Sequence, residues 1–158
     1  MRALNEAAVR FLAAGGMAVS AHGYLRFTKD ADLVVELTPE NVRSAFAALA
    51  SAGYRPLVPI TPEQFGDSAL RMTLIRDKGM QDLQFWSERH RETLVDVFVE
   101  VPFDFAEEYE QALVKPLPGA GEVRFVSVPT LIRMKEEVGR PQDRIDVEPL
   151  RMLLKGDD

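Results

Sequence analysis

Three aspartates stand where they could do chemistry together. Asp30 and Asp32 are two residues apart in the run Asp-Ala-Asp-Leu-Val-Val-Glu-Leu (30–37), which is rich in β-branched and apolar residues and reads as a strand. Side chains alternate faces along a strand, so both carboxylates project the same way and could share a cation. Asp96 lies in Leu94-Val95-Asp96-Val97-Phe98-Val99, where Val95, Val97 and Val99 take one face and the aspartate the other. A carboxylate among large apolar neighbours is costly to bury alone, so it calls for a metal or a positive partner. Three carboxylates on adjacent strands would form an oxygen-rich site suited to Mg2+ or Mn2+, ions that hold triphosphate oxygens and activate an incoming hydroxyl for in-line displacement.

Gly15-Gly16 follows the mostly apolar run 9–14 and precedes the small-residue stretch 17–21, a pattern of strand, tight turn and helix. Such a turn admits close approach of an anion to the backbone, and the helix that follows turns free amides toward it. Thirteen residues separate Gly16 from Asp30, enough for that helix and a return loop bringing Arg26, Thr28 and Lys29 to the mouth of the site. Arg26 is a candidate phosphate clamp. Taken alone, Gly-Gly is also the mark of a plain turn, and it matches neither the Gly-x-Gly-x-x-Gly fingerprint nor a phosphate loop ending in Gly-Lys-Ser/Thr.

Composition narrows the chemistry. The chain has no cysteine and two histidines, His22 and His90, which excludes a disulfide framework and a thiolate centre and leaves oxygen as the metal donor. Twenty-five acidic against nineteen basic residues give a net charge of −6, which disfavours unspecific binding to nucleic acid through a general positive field. No apolar stretch approaches membrane-spanning length and no signal-like apolar run opens the chain, so a cytoplasmic protein without membrane attachment is expected.

The elements that must position these groups follow from the pattern. Thr38-Pro39 starts a helix over 40–52, which Gly53 stops; residues 54–60, broken by two prolines, make at most an edge strand. Helical spacing over 62–76 is followed by strands over 80–87 and 93–101, with turns at Gly79 and at 88–92. Beyond Pro102 the character changes: an amphipathic acidic segment over 103–113, a short strand at 123–126, and helices over 128–138 and 143–154 parted by Gly139-Arg140-Pro141. His22 reads as a packing or hydrogen-bonding residue, His90 as a solvated turn residue, and Phe85 and Trp86 as core.

Gly-Gly, a short helical stretch, Arg-x-Thr-x-Asp-x-Asp-Leu and then an isolated Asp within an apolar strand together resemble the nucleotidyltransferase superfamily that includes DNA polymerase beta. Gly15-Gly16-Met17-Ala18 with His22-Gly23, Arg26, Thr28, Asp30 and Asp32 resembles, more narrowly, the small bacterial branch related to abortive-infection and toxin-antitoxin nucleotidyltransferases. The segment 126–146, with Lys135 followed by Arg140, Asp143 and Asp146, is similar to that branch's closing motif. The resemblance implies an α+β (mixed α/β) nucleotidyltransferase fold, a small mixed sheet flanked by helices. Residues 1–102 would be the catalytic core and 103–158 a helical C-terminal part packed on it as one unit. It further implies Asp30, Asp32 and Asp96 as metal ligands, Asp96 also as general base, Gly15 and Gly16 as triphosphate cradle, and Lys135 on the phosphates. Arg140 is either a further phosphate contact or, with Asp143 and Asp146, part of a salt-bridge network that docks the C-terminal helices.

Two functions are therefore expected to compete. One is transfer of a nucleoside monophosphate from a nucleoside triphosphate to a hydroxyl of an RNA, a protein or a small molecule, with release of pyrophosphate. The other is a catalytically inert binding module with a cognate partner, such as one component of a toxin-antitoxin pair. Three intact acids facing one cavity favour the first, since without a cation they would repel one another.

Overall fold

Local signals set most of the boundaries in the computed structural model, which describes residues 1–156. The last two residues of the C-terminal part expected over 103–158 lie outside the described residues. Chain order is α1 (Arg2–Glu6), β1 (Phe11–Ala13), α2 (Gly15–Ala21), β2 (Ala31–Val35), α3 (Pro39–Ser51), β3 (Tyr54–Pro56), α4 (Pro62–Gly66), α5 (Ser68–Lys78), β4 (Asp82–Ser87), β5 (Val95–Phe98), α6 (Phe105–Gln111), β6 (Leu113–Leu117), β7 (Gly121–Phe125), α7 (Val128–Val138) and α8 (Pro141–Gly156). Thr38 caps α3 by accepting the Asn41 N–H, with Pro39 in the first turn where a missing N–H costs nothing. The helical segment expected over 62–76 is two helices. Thr61 and Gln64 close a capping box on α4, and Asp67 then accepts from Ala69 and Leu70 to start α5 afresh.

Seven strands form one mixed sheet in the order β3-β4-β5-β2-β1-β7-β6. β2 pairs with β5 and β1 with β7 in parallel, and every other neighbouring pair is antiparallel. β3 is an edge strand, as Pro56 within it favours. The residues beyond 102 are not helical throughout. β6 and β7 form a hairpin that extends the core sheet through the β1–β7 pairing, and Val126 N–H donates to the Ala13 carbonyl at 3.0 Å. β6 escaped notice in the sequence because its pattern is mostly exposed and includes Lys115 and Pro116, which suits an edge strand and hides it from a periodicity search.

Alternation decides what faces the chemistry. Ala31, Leu33, Leu83, Phe85, Val95 and Val97 are buried, and Phe85 meets Phe46 of α3 edge-on with ring centroids 5.2 Å apart. The interleaved residues Asp32, Gln84 and Asp96 therefore lie on the opposite face, half-buried. α7, with Leu131 buried, lies over part of that face, and α8 packs along α7. Among the described residues no helix is long and apolar enough to cross a membrane.

Candidate functional site

β2 and β5 run parallel in register, and Asp32 stands directly beside Asp96. With Gly15, Asp82, Lys135 and Arg140 they line one cavity between the sheet and α7. The carboxylates are electrostatically crowded. Burial, followed by the charges of Asp96, Asp82 and Asp30, pushes Asp32 up to about 6, with Arg140 giving partial relief. Asp96 is raised by burial and by Asp82 and Asp30, against an opposing hydrogen bond from Gln84; Asp82 is raised by burial and relieved by Arg140. Four carboxylates and two protein cations line the cavity.

Gly15 closes the site from the β1 side. It adopts φ +59°, and a Cβ there would lie 2.0 Å from Asp32 Oδ2, so only glycine lets the turn pass the carboxylate. A Cβ on Gly16 would lie 2.9 Å from Thr28 Cβ, so the second glycine seats the loop that carries Thr28. The Ala14 N–H donates to the Asp32 carbonyl at 2.9 Å and ties the glycine turn to β2.

The other residues singled out in the sequence take different places. Asp30 precedes β2 and accepts the Leu94 N–H on Oδ1 at 3.1 Å, with Thr28 Oγ1 donating to its carbonyl at 3.2 Å. Asp30 lines a second, largely apolar cavity with Met17, Leu49 and Tyr54, rather than the one that holds Asp32 and Asp96. Among the described residues no group of three His, Cys, Asp or Glu side chains is placed to hold a metal ion. Of the three aspartates singled out in the sequence, Asp32 and Asp96 are the two that face this cavity, with Asp82 and Asp143 also in its lining.

The cations are engaged with α8. Lys135, 7% exposed, donates to Asp146 at 2.8 Å and Asp143 at 3.3 Å. Arg26 Nε pairs with Asp146 Oδ2 at 3.3 Å, and Gln142 donates to Asp146 Oδ1 at 3.0 Å. Burial alone would raise Asp146, but Lys135, Gln142 and Arg26 outweigh it and hold the carboxyl below its ordinary range. Arg140 Nε meets Asp143 Oδ2 at 3.1 Å while its side chain stays 74% exposed, close enough to act on Asp32 and Asp82. The salt-bridge network that docks the C-terminal helices is thus present, and it includes Arg26 as well as Arg140. His22 Nε2 hydrogen-bonds the Val126 carbonyl at 2.8 Å, exposed His90 stacks on Tyr54, and Trp86 is half-buried beneath the Arg55 guanidinium.

Two residues of the site went unseen in the sequence, Asp82 and Gln84. Gln84 sits opposite Asp96 in the β4–β5 pairing and donates Nε2–H to Asp96 Oδ1 at 3.0 Å. The alternation Asp82-Leu83-Gln84-Phe85 was the available signal, since it sets two polar side chains on the face away from the core.

A scan against known protein families finds no match, and neither does a comparison with curated proteins. Solved structures do match. The chain is similar to the lincosamide antibiotic adenylyltransferase LnuA with lincomycin bound, at 13% identity and TM-score 0.55, over 94% of this chain and 89% of that one. It is similar to ANT(2")-Ia in complex with adenylyl-2"-tobramycin at 18% identity and TM-score 0.54, over 94% and 80%. The fold is that of the nucleotidyltransferases. A nucleotidyltransferase-like protein from Paracoccidioides brasiliensis shares it at 17% identity and TM-score 0.51, over 95% of this chain and 71% of that one. Within this nucleotidyltransferase fold, the likeness extends over both the residues before 102 and those after it.

Proposed function

We propose that this chain transfers a nucleoside monophosphate from a nucleoside triphosphate to a hydroxyl acceptor. The observation that carries the reading is the Asp32–Asp96 pair, in register on parallel neighbouring strands, with the Gly15 backbone against one of its carboxylates. The fold similarity to antibiotic nucleotidyltransferases supports it. In the reaction, the acceptor oxygen forms a bond to the α-phosphorus, the bond from that phosphorus to the bridging oxygen breaks, and pyrophosphate leaves; the hydroxyl proton passes to the Asp96 carboxylate.

The donor set fits a hard divalent cation, because Asp32 and Asp96 offer carboxylate oxygens side by side on parallel strands, in a cavity where Asp82 adds negative charge and Arg140 offsets only part of it. Asp32 and Asp96 would hold Mg2+ or Mn2+; Asp30, which lines the neighbouring cavity and accepts the Leu94 N–H, would join them only by giving up that hydrogen bond. Such an ion, when bound, supplies charge neutralisation for the triphosphate. Gly15 and Gly16 let the triphosphate approach the backbone, and Thr28 shapes the loop beside them. Arg140, exposed and facing the acids, is the side chain best placed to meet phosphate oxygens; Lys135 and Arg26 act by holding α7, α8 and the loop before β2 in place. Residues 1–102 and 103–158 act as one unit in this reading, and the narrower likeness to the abortive-infection branch leaves RNA, protein and small-molecule acceptors all to be tested.

The test is incubation with each labelled nucleoside triphosphate, Mg2+, and in separate arms RNA, protein and small hydroxylated compounds including aminoglycosides and lincosamides. Label in one acceptor class, with release of pyrophosphate, is the expected result. Label in none, with nucleotide still bound, would move the chain to the inert binding module.

A further inference from the structure

We infer that Gln84 is the positioning residue for Asp96, turning its carboxylate so that one oxygen is held and the other is free for the chemistry. This rests on the reading of Asp96 given above. β4 and β5 pair antiparallel with Gln84 directly opposite Asp96, and the amide Nε2 donates to Oδ1 at 3.0 Å. Both ends of that hydrogen bond are anchored in rigid backbone. Leu83 and Phe85 flank the glutamine and are 0% and 1% exposed; Val95 and Val97 flank the aspartate and are buried as well. The terminal torsion of an aspartate is soft, so a carboxylate facing a cavity needs an outside contact to fix its plane. Among the described residues Oδ1 takes that contact and Oδ2 has no hydrogen bond.

The chemical nature of the donor matters as much as its place. A partner that served only to satisfy a half-buried carboxylate would best be a cation, as Lys135 is for Asp143 and Asp146. An amide steers the carboxylate and leaves its full negative charge available to a metal ion or a proton. Gln84 can supply no proton of its own and cannot neutralise its neighbour. Among the described residues its side chain hydrogen-bonds Asp96 and no other acid of the cavity, so it acts through Asp96 and not on a substrate.

Gln84→Met keeps the length and removes the donor; Gln84→Lys keeps a donor and adds a charge. Partners that orient a metal-binding carboxylate typically contribute tenfold to hundredfold in affinity or rate. Gln84→Met is expected to melt with the parent, to bind Mn2+ about tenfold more weakly by calorimetry, and to lose about tenfold or more in kcat with KM for the triphosphate unchanged. Gln84→Lys is expected to bind Mn2+ more weakly still. In nuclear magnetic resonance spectra of the ligand-free protein, the Gln84 side-chain amide should stand away from free-amide positions and return to them in Asp96→Ala. A Gln84→Met protein with parental Mn2+ affinity and kcat overturns the inference. If the parent binds Mn2+ but labels no acceptor, transfer is lost as the function while the Mn2+ comparison still judges Gln84. A parent that binds no Mn2+ overturns both.

Discussion

Gly15 lies against the carboxylate of Asp32 so closely that a Cβ on the glycine would fall 2.0 Å from Asp32 Oδ2 and 2.8 Å from its Cγ. The glycine that opens α2 and the acidic strand β2 are thereby fitted to each other, and the triphosphate cradle and the metal ligand of the proposed site are one structural unit.

That fit can be measured. Gly15→Ala carries two costs, a left-handed φ and a clash, whereas Gly79→Ala, at φ +61° with nothing within 4 Å, carries only the first. Gly79→Ala should cost about 1 kcal/mol in denaturant unfolding and Gly15→Ala clearly more. Removing the obstructing carboxylate in Gly15→Ala/Asp32→Ala should recover part of the difference, and strict additivity in that double-mutant cycle would count against the contact.

Asp32 makes stability depend on pH in a definite direction. Its carboxyl is raised from 3.8 to about 6 in the folded protein, so the native state holds more protons than the unfolded one between those values. Stability contributed by this group is present below that window and lost as pH rises through it. Asp32→Asn should therefore be the more stable protein at pH 7, by on the order of 1 to 3 kcal/mol, with the advantage fading toward pH 4. Chemical denaturation at both values decides, and saturating Mg2+ should narrow the gap at pH 7 by stabilising only the parent.

Lys135 and Arg140 should separate by the kind of loss they cause. Lys135→Ala leaves Asp143 and Asp146, 7% and 5% exposed, without their buried cation, and about 3 to 5 kcal/mol of stability should go. Arg140→Ala removes a side chain 74% exposed and should leave the melting temperature nearly unchanged while weakening triphosphate binding. Equal effects on stability would show that the network does not discriminate between the two.

Nucleotide and metal should stabilise the chain together. At a hundredfold excess over the dissociation constant a ligand adds about 2.7 kcal/mol, a shift that thermal melting resolves. Mg2+ with a nucleoside triphosphate should produce it, and Asp96→Ala should abolish it. Asp30→Ala separates two roles for its residue: loss of the shift supports Asp30 as a ligand, whereas an undiminished shift leaves it only as acceptor of the Leu94 N–H just before β5.

The sequence by itself determined whatever depends on neighbours along the chain. The period-two alternation that aims Asp32 and Asp96 away from the core, the Thr38-Pro39 start of α3, an edge strand within the proline-broken run 54–60 and the glycine pair between β1 and the helical stretch were all legible, because each rests on backbone preference or side-chain periodicity within a few residues; the helix itself opens earlier than expected, at Gly15. The mixed fold was implied by the family resemblance that the order of the motifs carries. Tertiary structure alone decided which distant groups share a site. Gln84 and Asp82 join the acids only because β4 pairs with β5, a register no local pattern encodes. Arg26 and Lys135 carry the charge expected of phosphate ligands, yet they spend it on Asp146, 120 and 11 residues away, because α8 folds back along α7 and buries that carboxylate among them. A buried charge must find its partner within the fold, and the partner is set by which helices meet.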